Sequence, residues 1–126
     1  MEMDALTREV IAAAYKVHNT LGFGFLEKVY ENAMMVELRK RGISAEQQYP
    51  VKVYYEEERV GNFRADLFVE NILIVELQSV FEIQLDHEIR LVNYLTATKK
   101  DIGLLINFGL SVQIKRKYRN YPPGKK

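Results

Sequence analysis

The chain has no cysteine. That excludes a disulfide framework and any thiolate metal site. It also has no apolar run approaching the ~20 residues that a membrane-spanning helix needs. Acids at Glu2 and Asp4 stand where a secretory leader would carry bases, so a cytoplasmic location is expected, with no membrane partner. A strong net charge is lacking too: 18 basic residues face 17 acidic ones. The balance is uneven, because Lys115, Arg116, Lys117, Arg119, Lys125 and Lys126 crowd the end with no acid among them. The body is therefore mildly acidic and the end basic.

What is present is ordinary for a globular domain. Hydrophobic residues make up 48% and charged residues 28% of 126 positions, enough for one real core. Leu6, Val10, Ala13, Val17 and Leu21 recur at helical spacing, which predicts a helix over residues 5–20, capped by Asp4. Gly22-Phe23-Gly24 breaks the chain. A second helix is expected over residues 26–41, burying Leu26, Val29, Tyr30, Ala33 and Val36 and closed by Gly42. Glu27 and Tyr30 share a face of it. On helix physics alone, Glu27 favours the N-terminus and Tyr30 is core.

Residues 43–55 contain a strand, with Pro50 arguing for an edge or a bend. Glu56-Glu57-Glu58 is a turn. Residues 60–69 and 73–78 form a hairpin. A third helix spans 84–98, with Leu85, Ile89, Val92 and Leu95 as its apolar stripe and His87, Arg90, Leu91 and Tyr94 as a partly polar one. Residues 102–106 read as a strand buried on both faces, and 112–118 as a final edge strand. The order is α-α-β-β-β-α-β(-β). The helix between strands makes a crossover, so the strands at 73 and 102 are expected to be parallel in a mixed sheet flanked by helices. One α/β domain over 1–118 is expected, followed by a basic tail over 119–126.

Asp66, Glu76 and Gln78 interrupt the apolar hairpin. Buried carboxylates are costly unless paired, hydrogen-bonded or bound to a cation. Side chains alternate faces, so register decides who meets whom. A two-residue turn at Glu70-Asn71 puts the two acids on opposite faces. A three-residue turn, Glu70-Asn71-Ile72, pairs Asp66 with Glu76. It leaves Ala65, Leu67, Val69, Leu73, Val75 and Leu77 as a fully apolar face. Asn71 suits the positive φ of such a loop. The three-residue register is therefore expected.

Several motifs then carry a family resemblance. Gly24-Phe25-Leu26-Glu27-Lys28-Val29-Tyr30 resembles the GxxExxY signature, and Arg64-Ala65-Asp66-Leu67 the "RADL" segment of the same proteins. Val75-Glu76-Leu77-Gln78 stands where they have "(I/V)ELK". His87 to Leu95 is similar to "HxxQLLxYL", and Gly103 to Gly109 to "GLLINFG". The chain thus resembles the GxxExxY proteins, a branch of the PD-(D/E)XK nuclease-like superfamily, from about Leu6 to Gly109. The resemblance implies a restriction-endonuclease-like core and phosphodiester hydrolysis with Mg²⁺ or Mn²⁺. Asp66 and Glu76 would hold the metal, with Glu27 as a further ligand or water-orienting group. Tyr30, His87 and Tyr94 would support the site.

Two positions depart from that pattern. The strand lysine is Gln78, and the helix glutamine is Arg90. A neutral amide cannot supply lysine's charge, and Arg90 is expected to restore it if its guanidinium lies near Glu76 and Gln78. The reading is therefore a nuclease-like hydrolase on DNA or RNA, with Glu27, Asp66, Glu76, Gln78 and Arg90 in its site. The alternative is an inactive module binding nucleic acid or protein. In it Glu76, Gln78, His87 and Arg90 form a structural polar cluster, and Lys115, Arg116, Lys117 and Arg119 contact phosphates. A third reading is a homodimerisation domain.

Overall fold

The computed structural model describes residues 1–119. All of the expected basic tail except Arg119 lies outside the described residues. Two helices come first, α1 (Met3–Leu21) and α2 (Glu27–Lys40). Strands β1 (Ala45–Tyr55), β2 (Glu58–Val69) and β3 (Leu73–Gln78) follow. Then come α3 (Leu85–Thr98), β4 (Ile102–Phe108) and β5 (Val112–Tyr118). One sheet has the order β1-β2-β3-β4-β5. Only β3 and β4 run parallel, joined over α3; the other neighbours are antiparallel. No helix among the described residues is long and apolar enough to cross a membrane.

The sheet separates two cores. On one face Leu67, Val69, Leu73, Val75 and Leu77 meet Leu6, Val10 and Val17 of α1 and Tyr30, Met34 and Leu38 of α2. On the other, Ile74, Phe68 and Leu105 meet Leu91, Tyr94 and Leu95 of α3. Gly103 makes the second contact close. A Cβ there would lie 2.8 Å from Leu91 Cδ1 and 3.1 Å from the Ile74 carbonyl oxygen.

Helix ends follow local chemistry in part. α2 closes with Ile43 N–H donating to the Leu38 carbonyl and Gly42 N–H to that of Arg39, Gly42 at φ +74°. That is a Schellman motif, with Ile43 and Leu38 both buried beside it. Asp4 is not the cap of α1. Glu2, still extended at ψ 159°, is the N-cap, and Asp4 sits in the first turn, where an acid favours the helix dipole.

α1 buries Leu6, Val10, Ala13 and Val17 as its periodicity predicts, while the faces of α2 and α3 depart from the reading. α2 buries Tyr30, Glu31, Met34 and Leu38, while Leu26, Val29 and Val36 are exposed. α3 buries Leu91, Tyr94 and Leu95, while Leu85 and Ile89 are exposed. Each helix carries two apolar stripes about a third of a turn apart. The sheet takes the one whose large side chains fill it, here the ring of Tyr30 against Phe108 (centroids 4.5 Å apart, planes 4° apart).

The hairpin has the three-residue register, with Leu67 opposite Val75, Phe68 opposite Ile74 and Val69 opposite Leu73. Glu70 and Asn71 are both left-handed, at φ 51° and 59°. Ser44 N–H donates to the Glu70 carboxylate at 2.7 Å, which secures that conformation. One residue departs from the expected apolar face. Ala65 packs in the second core with Val51 and Ile74, not with Leu67. The alternation breaks at Asp66, whose N–H leaves the backbone ladder for a side chain. Opposite it in β1, Gln48 stands at φ +54°.

Candidate active site

Asp66 and Glu76 meet where β2 and β3 part. The Asp66 N–H donates to Glu76 Oε2 at 2.7 Å, and the Leu77 N–H donates to Asp66 Oδ2 at 2.7 Å. Each carboxylate thus takes the backbone donor that the opposing strand would otherwise use. Both stay in the strand gap, and Glu76 follows Ile74 onto the α3 face of β3. Glu76 is only 3% exposed. Burial pushes both acids above their ordinary values, Asp66 to about 6 and Glu76 to about 8. For Glu76 the neighbouring Asp66 charge adds to burial. For Asp66 the Leu77 N–H opposes the rise, while Glu31 and then Glu27 reinforce it.

Gln78, two residues beyond Glu76, is 4% exposed and links two elements. With its amide oriented to satisfy both neighbours, its nitrogen donates to Glu27 Oε2 at 3.1 Å. Its oxygen accepts from an Arg90 guanidinium nitrogen at 2.7 Å. Arg90 Nε also stands 3.6 Å from Glu76 Oε1, an ion-pair contact rather than a hydrogen bond. Arg90 therefore lies beside both Glu76 and Gln78, as the compensation idea requires.

Glu27 is presented by a tethered loop. The Tyr30 hydroxyl donates to the Gly22 carbonyl at 2.6 Å and accepts from Phe25 N–H at 3.3 Å. Ser79 Oγ donates to the Phe25 carbonyl at 2.6 Å, tying the loop to the end of β3. Gly24 at φ +110° permits the turn between them. The spacing of Gly24, Glu27 and Tyr30 thus has a local cause. The glycine bends the loop, the tyrosine clamps it, and the glutamate opens α2 facing Gln78.

The structure brings Asp66 and Glu76 together and leaves Glu27 outside that pair, held by Gln78. Among the described residues no three acidic or histidine side chains converge as one metal-binding group. Tyr94 stands under the site. Its hydroxyl is pushed up by burial and then by the Glu76 charge. His87 does not join Glu76, Gln78 and Arg90. Its Nδ1 accepts from the Gln84 N–H at 3.3 Å, completing a reciprocal cap at the start of α3. Of the basic residues of β5, Arg116 binds Thr7 and faces Asp4, and Lys117 pairs with Glu88. Arg119 pairs with Asp101, while Lys115 is exposed.

Sequence reasoning missed three residues. Glu31, 4% exposed, accepts from Lys28, Gln47 and Gln48 at 3.0, 2.7 and 2.9 Å. Its spacing of four from Glu27 was the available signal. Gln48 left none, since its left-handed backbone and its place opposite Asp66 depend on strand pairing. Asn107 is fully buried. It bonds Val80 through both its amide oxygen (3.0 Å) and nitrogen (2.9 Å), fixing the chain that leaves Gln78.

A five-stranded mixed sheet between helices, with an acid pair at the parting of two strands, defines a PD-(D/E)XK nuclease-like fold. A family model described as the PD-(D/E)XK nuclease superfamily matches residues 4–119, and the chain belongs to that superfamily. The crystal structure of SSO0001 matches with a TM-score of 0.59 at 15% identity, over 76% of this chain. At that identity the likeness shows the fold alone. This chain spans 52% of that structure's length. No curated protein matches the chain.

Members of this superfamily generally use divalent metal ions, and the donor set fits one. Asp66 and Glu76 are buried, adjacent and raised in pKa by burial and by neighbouring acids, a cost that a cation would relieve. Their oxygens are hard donors. Mg²⁺ is commonly held by only one or two carboxylates, completed by water and phosphate.

Proposed function

We propose that this chain is a divalent-metal-dependent phosphodiesterase acting on nucleic acid, with Arg90 supplying the charge that the strand lysine supplies elsewhere in the family. The observation that carries this is the position of the Arg90 guanidinium, 2.7 Å from the Gln78 amide and 3.6 Å from Glu76. Asp66 and Glu76 would hold the ion. When bound, such an ion supplies an activated water and stabilises charge on the phosphate.

The chain's own residues divide the remaining work. Arg90 stays protonated, so it stabilises an anionic phosphate and does not take up a proton. Gln78 positions rather than reacts: it fixes Arg90 with its oxygen and Glu27 with its nitrogen. Glu27, exposed at the mouth, is a water-orienting group rather than a ligand of the pair. Tyr30 and Ser79 set its loop.

A second reading is a metal-free scaffold. The crossed bonds from Asp66 N–H to Glu76 and from Leu77 N–H to Asp66 favour it, because they satisfy the acids without an ion. Calorimetric titration with Mn²⁺ and Mg²⁺ separates the two. Hydrolysis requires saturable binding that Asp66→Asn abolishes, together with Mn²⁺-dependent cleavage of a labelled oligonucleotide. Absence of both in the wild type leaves the scaffold reading standing.

A further inference from the structure

Arg90 and Tyr94 are also part of the wall of an open groove of about 810 Å³ between α3 and the β1–β2 hairpin. Tyr54 and Phe63 line the hairpin side and are 57% and 49% exposed. The rings of Phe63 and Tyr94 lie 6.0 Å apart. Half-exposed aromatic rings on a water-facing surface call for a partner. The groove's charged side chains are Lys52, Arg90 and Lys99 against one acid, Asp86.

We propose that this groove binds single-stranded nucleic acid and leads it to the carboxylate pair. The inference rests on the phosphodiesterase reading and names the form of its substrate. Three cations against one acid match a phosphate backbone. The exposed rings match unstacked base faces, which only a single strand offers, since in a duplex those faces are covered by neighbouring pairs. Arg90 belongs to both sites: it lines the groove and contacts Glu76 and Gln78. A strand lying along the rings therefore brings its phosphate to the residue that faces the acids.

The path does not end there. Gln78 joins Arg90 to Glu27, and Glu27 borders a second hollow that carries the rings of Phe23 and Phe81, 6.0 Å apart. Aromatic surface thus adjoins both Arg90 and Glu27, the two residues that Gln78 joins, so a single strand has rings to rest on beside each.

The test is fluorescence anisotropy in EDTA with a labelled oligothymidylate and with a duplex of equal length, over a salt series. Without metal there is no cleavage, so the result does not depend on catalysis. The single strand is expected to bind at least tenfold more tightly than the duplex. Phe63→Ala and Tyr54→Ala should each weaken it about tenfold, from the usual worth of one stacked base. Lys52→Ala should lower the salt slope by about one, and Lys16→Ala, exposed on α1 across the sheet from the groove, should change nothing. Circular dichroism checks that the variants fold. Equal or tighter duplex binding, no binding of either, or indifference to Phe63→Ala and Tyr54→Ala overturns the proposal. So does a dimer by light scattering that Phe63→Ala dissolves, which would assign the groove to a second copy. Metal-dependent cleavage of duplex without single-strand preference would leave the phosphodiesterase reading intact while removing this one.

Discussion

The Arg90 guanidinium lies between the amide oxygen of Gln78, at 2.7 Å, and the carboxylate of Glu76, at 3.6 Å. A cation from α3 thus occupies the neighbourhood that a lysine at position 78 would fill from β3. Two elements reach one spot, and the positive charge comes from the helix.

That arrangement predicts a coupled pair. Arg90→Ala should lower Mn²⁺-dependent cleavage by a factor on the order of 10²–10³, the usual cost of one lost electrostatic stabiliser. Gln78→Lys in the Arg90→Ala background should recover much of it. Gln78→Lys alone should gain little, because two cations would then share one pocket. Single-turnover rates for the four proteins close the cycle. Activity appearing only in Gln78→Lys would mean that Arg90 does not replace the lysine.

Stability should depend on pH with a definite sign. The folded-state values of Asp66 and Glu76, about 6 and about 8, stand above the unfolded values of 3.8 and 4.5. Between about pH 4 and pH 8 the folded chain therefore holds more protons than the unfolded one. Stability contributed by the protonated acids is present below that window and is lost as pH rises through it. In EDTA the melting temperature should fall by about 5 °C or more from pH 5 to pH 8, the scale of a kcal/mol change in a domain of this size. Glu76→Gln should flatten the slope, and Mn²⁺ should raise the melting temperature most at pH 8. A rising curve, or a Glu76→Gln curve parallel to the wild type's, contradicts this account.

Tyr30→Phe removes one hydroxyl. It leaves the Gly22 carbonyl and the Phe25 N–H without their partner while preserving the stack on Phe108. The expected loss is about 1–2 kcal/mol in urea unfolding. Because the same hydroxyl holds the loop ahead of Glu27, cleavage should fall more than folding does. Equal small losses in both would make Tyr30 a packing residue only.

Gly103→Ala tests the α3 core. The added Cβ would approach Leu91 Cδ1 at 2.8 Å and the Ile74 carbonyl at 3.1 Å. The leucine tip can move, but the carbonyl is part of a strand. A loss of about 1–3 kcal/mol is expected, recovered in part by Leu91→Ala in the same chain. A neutral Gly103→Ala would show that α3 can lift from the sheet freely.

The element order, the parallel pairing of β3 with β4 and the hairpin register are all legible in the amino-acid pattern, because each follows from a local regularity. Apolar alternation leaves the hairpin only one register with a clean apolar face, and that register sets Asp66 against Glu76. The α1 face is legible too, but those of α2 and α3 are not legible in the same way. Val29 and Tyr30 are adjacent apolar residues on α2, and the same pattern allows either to point inward. The ring stack of Tyr30 on Phe108 decides it, from a distant part of the chain. On α3 only Leu95 of the expected stripe is buried, and Leu85 and Ile89 lose to Leu91 and Tyr94 for a similar reason: Gly103 opens the sheet beneath Leu91.

The sequence by itself determined the pair of strand acids, the loop-and-clamp built from Gly24, Glu27 and Tyr30, and the exchange of lysine for Gln78 and glutamine for Arg90. Tertiary structure decided the rest: that Arg90 reaches Gln78, that His87 turns to its own helix start, and that Glu31 and Gln48 sit beside the acids. Most of these are contacts between side chains far apart in the chain. Their free energies depend on distances and burial that no local pattern encodes.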